Sequence, residues 1–321
     1  MIIVIMKLQT QIPLIKESRN LINYNSKIVL LGSCFSENIG NQLDYYKFQT
    51  TQNPFGILFH PIAIENLITN AINEKKYTEN DVFFNNEQYH SFDTHSSLSA
   101  NNERDFLDNL NSSIKSTRKT LEEASHIIIT LGTSWVYRYI ESDQIVANCH
   151  KVPQKKFLKE ILSVDTISES LENIILLIKS INKNASILFT VSPVRHIKDG
   201  FIENSQSKSH LITAIHQVID KRKYNYYFPS YEIMMDELRD YRFYAEDMIH
   251  PNKTTINYIW EKFMSTWFDV STNSTMKEID IIQKGMLHKP FNPNSEKHLQ
   301  FLENLEQKKL KIMREYSFMS F

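Results

Sequence analysis

Apolar residues occur along this chain in two patterns: short uninterrupted runs, and longer segments in which they recur every three or four positions. A short apolar run bounded by turn residues is typical of a strand buried on both faces, and the second pattern indicates an amphipathic helix. Because the two patterns alternate, the sequence predicts an α/β fold, a flavodoxin-like doubly wound parallel sheet with helices on both faces. The predicted strands are Ile28–Leu31, Phe48–Gln52, His126–Leu131, Ser186–Val191 and Tyr226–Phe228.

Capping residues predict where several helices begin and end. The capping-box pattern Thr166-x-x-Glu169 is expected to open the clearest helix. Thr275-x-x-Glu278 is expected to open a shorter one, which Gly285 would close as the residue just after its end.

The division of the chain follows from where the alternation stops. Residues 1–270 are predicted to form the α/β domain, and residues 271–321 a C-terminal helical extension that packs on it. The extension includes a long charged helix from about Ser295 to Tyr316. Residues 76–101 are rich in aromatic and polar side chains and are predicted to be an inserted hairpin or lid.

The composition is that of an ordinary globular protein with a sizeable core, since 41% of the 321 residues are hydrophobic. With 36 basic and 37 acidic residues, the chain has no overall field that would favour nucleic acid. The apolar segment Met1–Met6 lacks a basic flank and is too short to span a bilayer. We therefore expect no nucleic-acid partner, no membrane span and a cytoplasmic location, with Cys34 and Cys149 as free thiols.

The first candidate for chemistry is the turn after the first strand, Gly32-Ser33-Cys34. It lies where a strand ends and a helix begins, at the sheet edge at which open α/β folds bind ligands. Free N–H groups at a helix start stabilise negative charge, so Ser33 is well placed to be a nucleophile. The alternative is that Ser33 only caps the helix.

Cys34 is a competing nucleophile, because a thiolate at a helix N-terminus would be activated. Two adjacent residues in a turn seldom both point into one pocket, and a buried structural cysteine is the commoner case. The sequence therefore favours Ser33.

The second candidate is Asp247-x-x-His250, in a polar loop before the last helix of the domain. A nucleophilic hydroxyl needs a base within reach, and the base needs a group that fixes its tautomer. A loop with this spacing supplies both. Alone the pattern is weak, because His250 could be a capping or surface residue, but it gains weight together with the turn at Ser33.

These two segments resemble the GSCFA family, a branch of the SGNH (GDSL-like) hydrolase superfamily. The resemblance spans about residues 27–267 and implies a flavodoxin-like fold and ester chemistry, with Ser33 as nucleophile, His250 as base and Asp247 orienting it. Further matching segments are Asn53-Pro-Phe-Gly56, Leu131-Gly-Thr-Ser-Trp135, Asn148-Cys-His-Lys-Val-Pro153 and Thr190-Val-Ser-Pro193.

One segment departs from the superfamily pattern. The third motif usually reads Gly-x-Asn-Asp, and its Asn donates to the oxyanion, whereas this chain has Gly132-Thr-Ser-Trp135. Thr133, Ser134 or Asn53 could replace that Asn as the donor to the oxyanion. Gly56 could add a backbone N–H, and Gly132 is expected to lie in the same oxyanion and substrate site. His150, beside Cys149 after an apparent strand, is a further candidate for the pocket wall, with turn formation and packing as its alternative reading.

The sequence thus predicts a serine-dependent ester hydrolase or acyltransferase that acts on an O-acyl ester, possibly of a carbohydrate. The alternative is a ligand-binding protein on the same fold that has lost turnover. The expected partner is a small-molecule or glycan ester, and the sequence does not specify an oligomeric state. No cofactor is expected, and no metal, because the histidines lack the His-x-x-x-His spacing of a helical zinc site.

Overall fold

A computed structural model describes residues 10–321 of the chain. The apolar segment Met1–Met6, on which part of the predicted location depends, lies outside the described residues. The strands are Lys27–Gly32 (β1), Gln49–Gln52 (β2), Phe83–Asn85 (β3), Gln88–His90 (β4), His126–Leu131 (β5), Trp135–Tyr139 (β6), Gln144–Val146 (β7), Phe157–Ile161 (β8), Ser186–Val191 (β9) and Asn225–Phe228 (β10).

The helices follow the predicted alternation. They are Cys34–Tyr45 (α1), Pro61–Ile72 (α2), Glu103–Glu123 (α3), Val164–Ile181 (α4), Phe201–Val218 (α5), Ser230–Glu232 (α6), Lys253–Trp267 (α7), Thr272–Met286 (α8) and Glu296–Glu315 (α9). A π-helical turn over Ile233–Leu238 continues α6.

Five strands form one parallel sheet in the order β10-β9-β5-β1-β2. Helices flank this sheet, and its order is consistent with a Rossmann-like or flavodoxin-like fold. The prediction of an α/β fold around a parallel sheet is therefore confirmed. The carboxyl ends of β1, β5 and β9 meet at one edge, which is where the sequence places the candidate residues.

Alternate residues of β1 enter two separate cores, one on each face of the sheet. Val29 and Leu31 belong to the cluster formed with α2, α3, α4 and α5. Ile28 and Leu30 belong to the cluster on the opposite face, with α1 and α7. Burial on both faces explains why the strand reads as an uninterrupted apolar run.

Two small antiparallel sheets are added to this frame. The segment 76–101 contains the hairpin β3–β4. A three-stranded sheet in the order β7-β6-β8 is formed by the part of the chain that follows β5 and precedes α4. Of its three strands, the sequence predicts only β7.

Two of the predicted helix boundaries are wrong. Helix α4 is capped by Ser163, whose Oγ accepts the N–H of Thr166 at 3.1 Å, so the helix begins one turn earlier than expected. Gly285 lies inside α8 rather than after it. A Cβ at this glycine would lie 2.7 Å from Cδ1 of Leu305, so the glycine allows α8 and α9 to approach closely.

The C-terminal helices pack on the α/β domain. The hydroxyl of Tyr45 donates to Asp280 of α8 at 2.9 Å, and Gln283 donates to the Tyr45 carbonyl at 2.9 Å. Leu305 and Ile312 of α9 are buried in the same core as β1. Over residues 10–321, no helix combines the length and the apolar character needed to cross a membrane.

Candidate active site

The turn between β1 and α1 is held tightly against β5. Gly32 has φ +130°, and a Cβ there would lie 2.1 Å from the carbonyl oxygen of Thr130, so only glycine fits. The N–H of Ser33 donates to the same carbonyl at 3.0 Å. On the other side, the Oδ1 of Asn53 accepts the N–H of Gly32 at 2.9 Å. The chain is thus fixed on both sides where the sequence predicts a nucleophile.

The two candidate nucleophiles of this turn have different surroundings. Ser33 is 0% exposed, and its Oγ has no hydrogen-bond partner among residues 10–321. Ser33 is the N-cap residue of α1 by position, yet its side chain makes no capping bond. Cys34 is partly exposed and is the first residue of α1.

Asp247 and His250 form the pair that their spacing predicts. The imidazole Nδ1 of His250 donates to Oδ2 of Asp247 at 2.6 Å. Oδ1 of Asp247 accepts the N–H groups of His250 and Ile249 at 3.0 and 2.9 Å. These N–H groups, together with the imidazole, lower the pKa of Asp247 to about 2. The carboxylate is therefore ionised and leaves Nε2 of His250 as the free basic nitrogen.

A cavity of about 700 Å³ connects this pair to the β1–α1 turn. Its wall includes Cys34 from the turn and His250 from the loop before α7. On the side formed by β6, β7 and β8 the cavity has an apolar lining, to which Val136, Val146 and Phe157 contribute. The imidazole of His250 and the thiol-bearing residue Cys34 thus share one cavity at the carboxyl edge of the sheet.

The N–H groups considered for the oxyanion are already in use. The N–H of Gly56 donates to the carbonyl of Asn53 at 2.7 Å. Those of Gly132 and Thr133 both donate to the carbonyl of Phe59, at 2.8 and 3.1 Å. The N–H of Ser134 donates to the Oγ of Ser207 at 2.8 Å. In the conformation described, these groups hold the loops in place.

The candidate side chains are likewise engaged within the protein. Thr133 lines the cavity, but its Oγ1 lies 3.0 Å from the Oγ of Ser207. Ser134 is fully buried and its Oγ donates to the Ser207 carbonyl. Asn53 holds Gly32, and its Nδ2 lies 3.5 Å from Glu37. The oxyanion donors that the sequence predicts remain predictions.

His150 lies in a cluster of aromatic residues. Its Nε2 donates to the carbonyl of Ser91 at 2.7 Å, and its ring centroid lies 4.6 Å from that of His90. Burial lowers the pKa of His150 to about 4. Its neighbour Cys149, and not His150, is part of the cavity wall as described.

The structure brings two further residues to the site that the sequence reasoning left out. His196 lines the cavity, and burial lowers its pKa to about 3, with smaller contributions from Lys208 and His250. Lys208 of α5 is 1% exposed, and its Nζ donates to the carbonyls of Gly132 and Ser192, both at 2.7 Å. Its position among the buried residues Ser207, Leu211 and Ile215 on one face of α5 was the signal in the sequence.

The site as described consists of side chains and backbone groups. Within residues 10–321, no group of three or more His, Cys, Asp or Glu side chains is arranged to hold a metal ion.

Comparison with known families matches almost the whole described chain. The model of the GSCFA family matches residues 27–263, which include the β1–α1 turn and the Asp247–His250 loop. A second model, "GSCFA domain protein, C-terminal domain", matches residues 279–321, which cover about half of α8 and all of α9. No curated protein matches the chain.

Proposed function

We propose that this protein, which belongs to the GSCFA family, is an ester hydrolase or acyltransferase that works through a covalent acyl-enzyme. The observation that carries the proposal is that His250, oriented by an ionised Asp247, shares a cavity with the β1–α1 turn. A placement in the SGNH hydrolase superfamily and a cytoplasmic location are parts of the same proposal.

The proposed reaction begins with His250 as general base. Nε2 takes a proton from the nucleophile of the β1–α1 turn, for which the sequence predicts Ser33, and the nucleophile attacks the ester carbonyl. Asp247 fixes the tautomer of His250 and stabilises the imidazolium that forms. The imidazolium then gives its proton to the departing alkoxide, and water or an acceptor hydroxyl releases the acyl group.

The shape of the cavity suggests how an ester would lie in it. The apolar side chains Val136, Val146 and Phe157 suit the hydrocarbon part of an acyl group. The polar side chains Asn148 and Gln154 on the same wall suit the alcohol part, which fits an O-acyl ester of a small molecule or a carbohydrate.

Turnover of a short-chain nitrophenyl ester tests this function. We expect His250→Ala to lose about 10²-fold or more in kcat/KM, because general-base catalysis contributes that much. The matched control is His288→Ala, since His288 is exposed and follows α8, far along the chain from the site. Full activity in His250→Ala would contradict the proposal. Absence of turnover in the wild type, with ligand-induced thermal stabilisation, would favour the binding-protein alternative.

A further inference from the structure

We propose that the thiol of Cys34, rather than the hydroxyl of Ser33, is the nucleophile of this site, and that the buried ammonium group of Lys208 stabilises the thiolate. This inference rests on the proposed function, since it assigns the attacking atom within it.

Cys34 lines the cavity that contains His250, and Ser33 does not. A nucleophile must reach a substrate carbonyl in the cavity that holds its base. Cys34 is part of the wall of that cavity, together with His250. The Oγ of Ser33 is fully buried and, among the described residues, neither donates nor accepts a hydrogen bond.

Backbone contacts on both sides of Ser33 fix the conformation of the turn. The N–H of Ser33 is bonded to Thr130, and its carbonyl accepts the N–H of Ser36 at 2.8 Å. The preceding Gly32 is in contact with the backbone of β5. Moving the backbone at Ser33 towards the cavity would break these contacts, whereas Cys34 already lines the cavity.

A buried positive charge lies next to the cavity wall, because Lys208 donates to the carbonyl of Gly132, the residue before Thr133 of that wall. The Lys208 ammonium has three N–H donors, and two of them are used by Gly132 and Ser192. Within residues 10–321, none of the ion pairs with N–O distances up to 4.0 Å involves Lys208. A buried ammonium without a counter-ion is costly, so a position that keeps one is suited to an anion that forms during the reaction.

Some groups around Cys34 raise the pKa of its thiol and others lower it. Burial and Glu37 raise the pKa of the Cys34 thiol, whereas Lys208 and the N–H groups of Cys34 and Phe35 at the start of α1 lower it. Burial lowers the pKa of Lys208 to about 7, and a thiolate at Cys34 opposes this change. The resting thiol is therefore protonated, and it needs His250 as base. His196 also faces this cavity, and burial together with Lys208 and His250 keeps it neutral.

Acyl transfer through Cys34 needs only the ester and the water or hydroxyl that accepts the acyl group. The Cys34 S–H proton moves to Nε2 of His250, and a bond forms between Sγ and the carbonyl carbon. The bond from that carbon to the ester oxygen breaks, and the alkoxide takes the proton from His250. Attack by water or an acceptor hydroxyl then breaks the thioester and returns a proton to Sγ through His250.

The nucleophile is tested by trapping the acyl-enzyme and treating it with hydroxylamine at neutral pH, which cleaves thioesters but spares serine esters. We expect a hydroxylamine-sensitive adduct in the wild type and in Ser33→Ala, and loss of the adduct in Cys34→Ala. A resistant adduct that survives in Cys34→Ala and is lost in Ser33→Ala would overturn this inference and leave the proposed function standing. If the wild type forms no adduct and has no esterase activity, the proposed function itself fails.

The role of Lys208 is tested by the pH profile of alkylation by iodoacetamide. In Lys208→Met we expect Cys34 to react about tenfold more slowly at neutral pH, with its profile moved to higher pH. Cys149 is the matched control, because it lines the same cavity and burial alone raises its pKa, to about 11. An unchanged Cys34 profile would overturn this role.

A second variant keeps the charge. Lys208→Arg retains a cation at this position, so its Cys34 alkylation profile should stay close to that of the wild type. A Lys208→Arg profile that matches the Lys208→Met profile would contradict the coupling.

Discussion

Ser33 combines a polar side chain with a fully buried position in the turn. Its hydroxyl is buried without a partner among the described residues, and it leaves the start of α1 without a side-chain cap. An unsatisfied buried hydroxyl costs free energy, and its removal is close to neutral or stabilising.

We therefore predict that Ser33→Ala leaves the free energy of unfolding unchanged or raises it by up to about 1 kcal/mol. The matched control is Ser163→Ala, because Ser163 caps α4 with a bond to Thr166, and its loss should cost about 1 kcal/mol. Urea unfolding of the two variants and the wild type measures both values. A loss of stability in Ser33→Ala as large as in Ser163→Ala would show that the Ser33 hydroxyl has a partner in solution.

The sequence predicts some of these residues and misses others for physical reasons. The Asp247–His250 pair is local, so its three-residue spacing is enough to place the carboxylate against the imidazole. Lys208 is different, because a lysine on a helix usually extends its charge to solvent, and only the packing of α5 against the ends of β5 and β9 reveals that this one is buried. Whether Ser33 or Cys34 faces the cavity depends on the dihedral angles of the turn, which the letters of the sequence do not specify.

Helix α7 holds the loop that carries His250 through its N-cap residue. The Oδ1 of Asn252 accepts the N–H of Thr255 at 3.1 Å, and its Nδ2 donates to the carbonyls of Arg242 and Tyr244 at 2.7 and 3.3 Å. The Asn252 side chain thus joins the start of α7 to Arg242 and Tyr244, which precede Asp247 in the chain.

We predict that Asn252→Ala costs about 1 kcal/mol or more in stability and lowers ester turnover by about 10- to 100-fold, because His250, the proposed general base, is misplaced. The matched control is Asn102→Ala, since Asn102 caps α3 in the same way but only through Asp105. It should lose similar stability and keep its turnover. Equal turnover in the two variants would show that the cap does not position His250.

The elements differ in how well the sequence predicts them. Strands β5 and β9 are buried at every residue, so each contains a run of three apolar residues within a segment of strand length. Strands β6 and β8 have mixed burial and pair antiparallel at the edge of the cavity, and their residues show neither an apolar run nor a regular alternation. The sequence therefore predicts the parallel sheet that positions the site better than the antiparallel strands that line the cavity.

Three buried histidines make the stability of the whole protein sensitive to acid. Burial lowers the pKa of His60, His126 and His150 to about 4 each. Their pKa in the unfolded chain is near 6.5, so between about pH 6.5 and 4 the unfolded chain binds protons that the folded protein does not. Stability is full above this window and is lost as the pH falls through it.

We predict that these three histidines together contribute a decrease of up to about 4 kcal/mol per pH unit within this window, at about 1.4 kcal/mol for each. His126→Gln should reduce the slope by up to about 1.4 kcal/mol per pH unit, because Gln cannot titrate but can still donate to the carbonyl of Asn20. His288→Gln, at an exposed position, is the control and should keep the wild-type slope. Urea midpoints from pH 7.5 to 4.5 give the slopes, and a flat profile in the wild type would contradict the prediction.

The most direct test of acyl transfer at this cavity is the rate at which the protein takes up one acyl group from a short-chain ester. The reaction is stopped with acid at successive times, and the acylated tryptic peptide is identified by mapping. The adduct should appear on the peptide Ile28–Lys47, which carries the β1–α1 turn. It should form at least about 10²-fold more slowly in His250→Ala and at the wild-type rate in His288→Ala. An adduct confined to another peptide, or one that forms equally fast without His250, would contradict acyl transfer at this cavity.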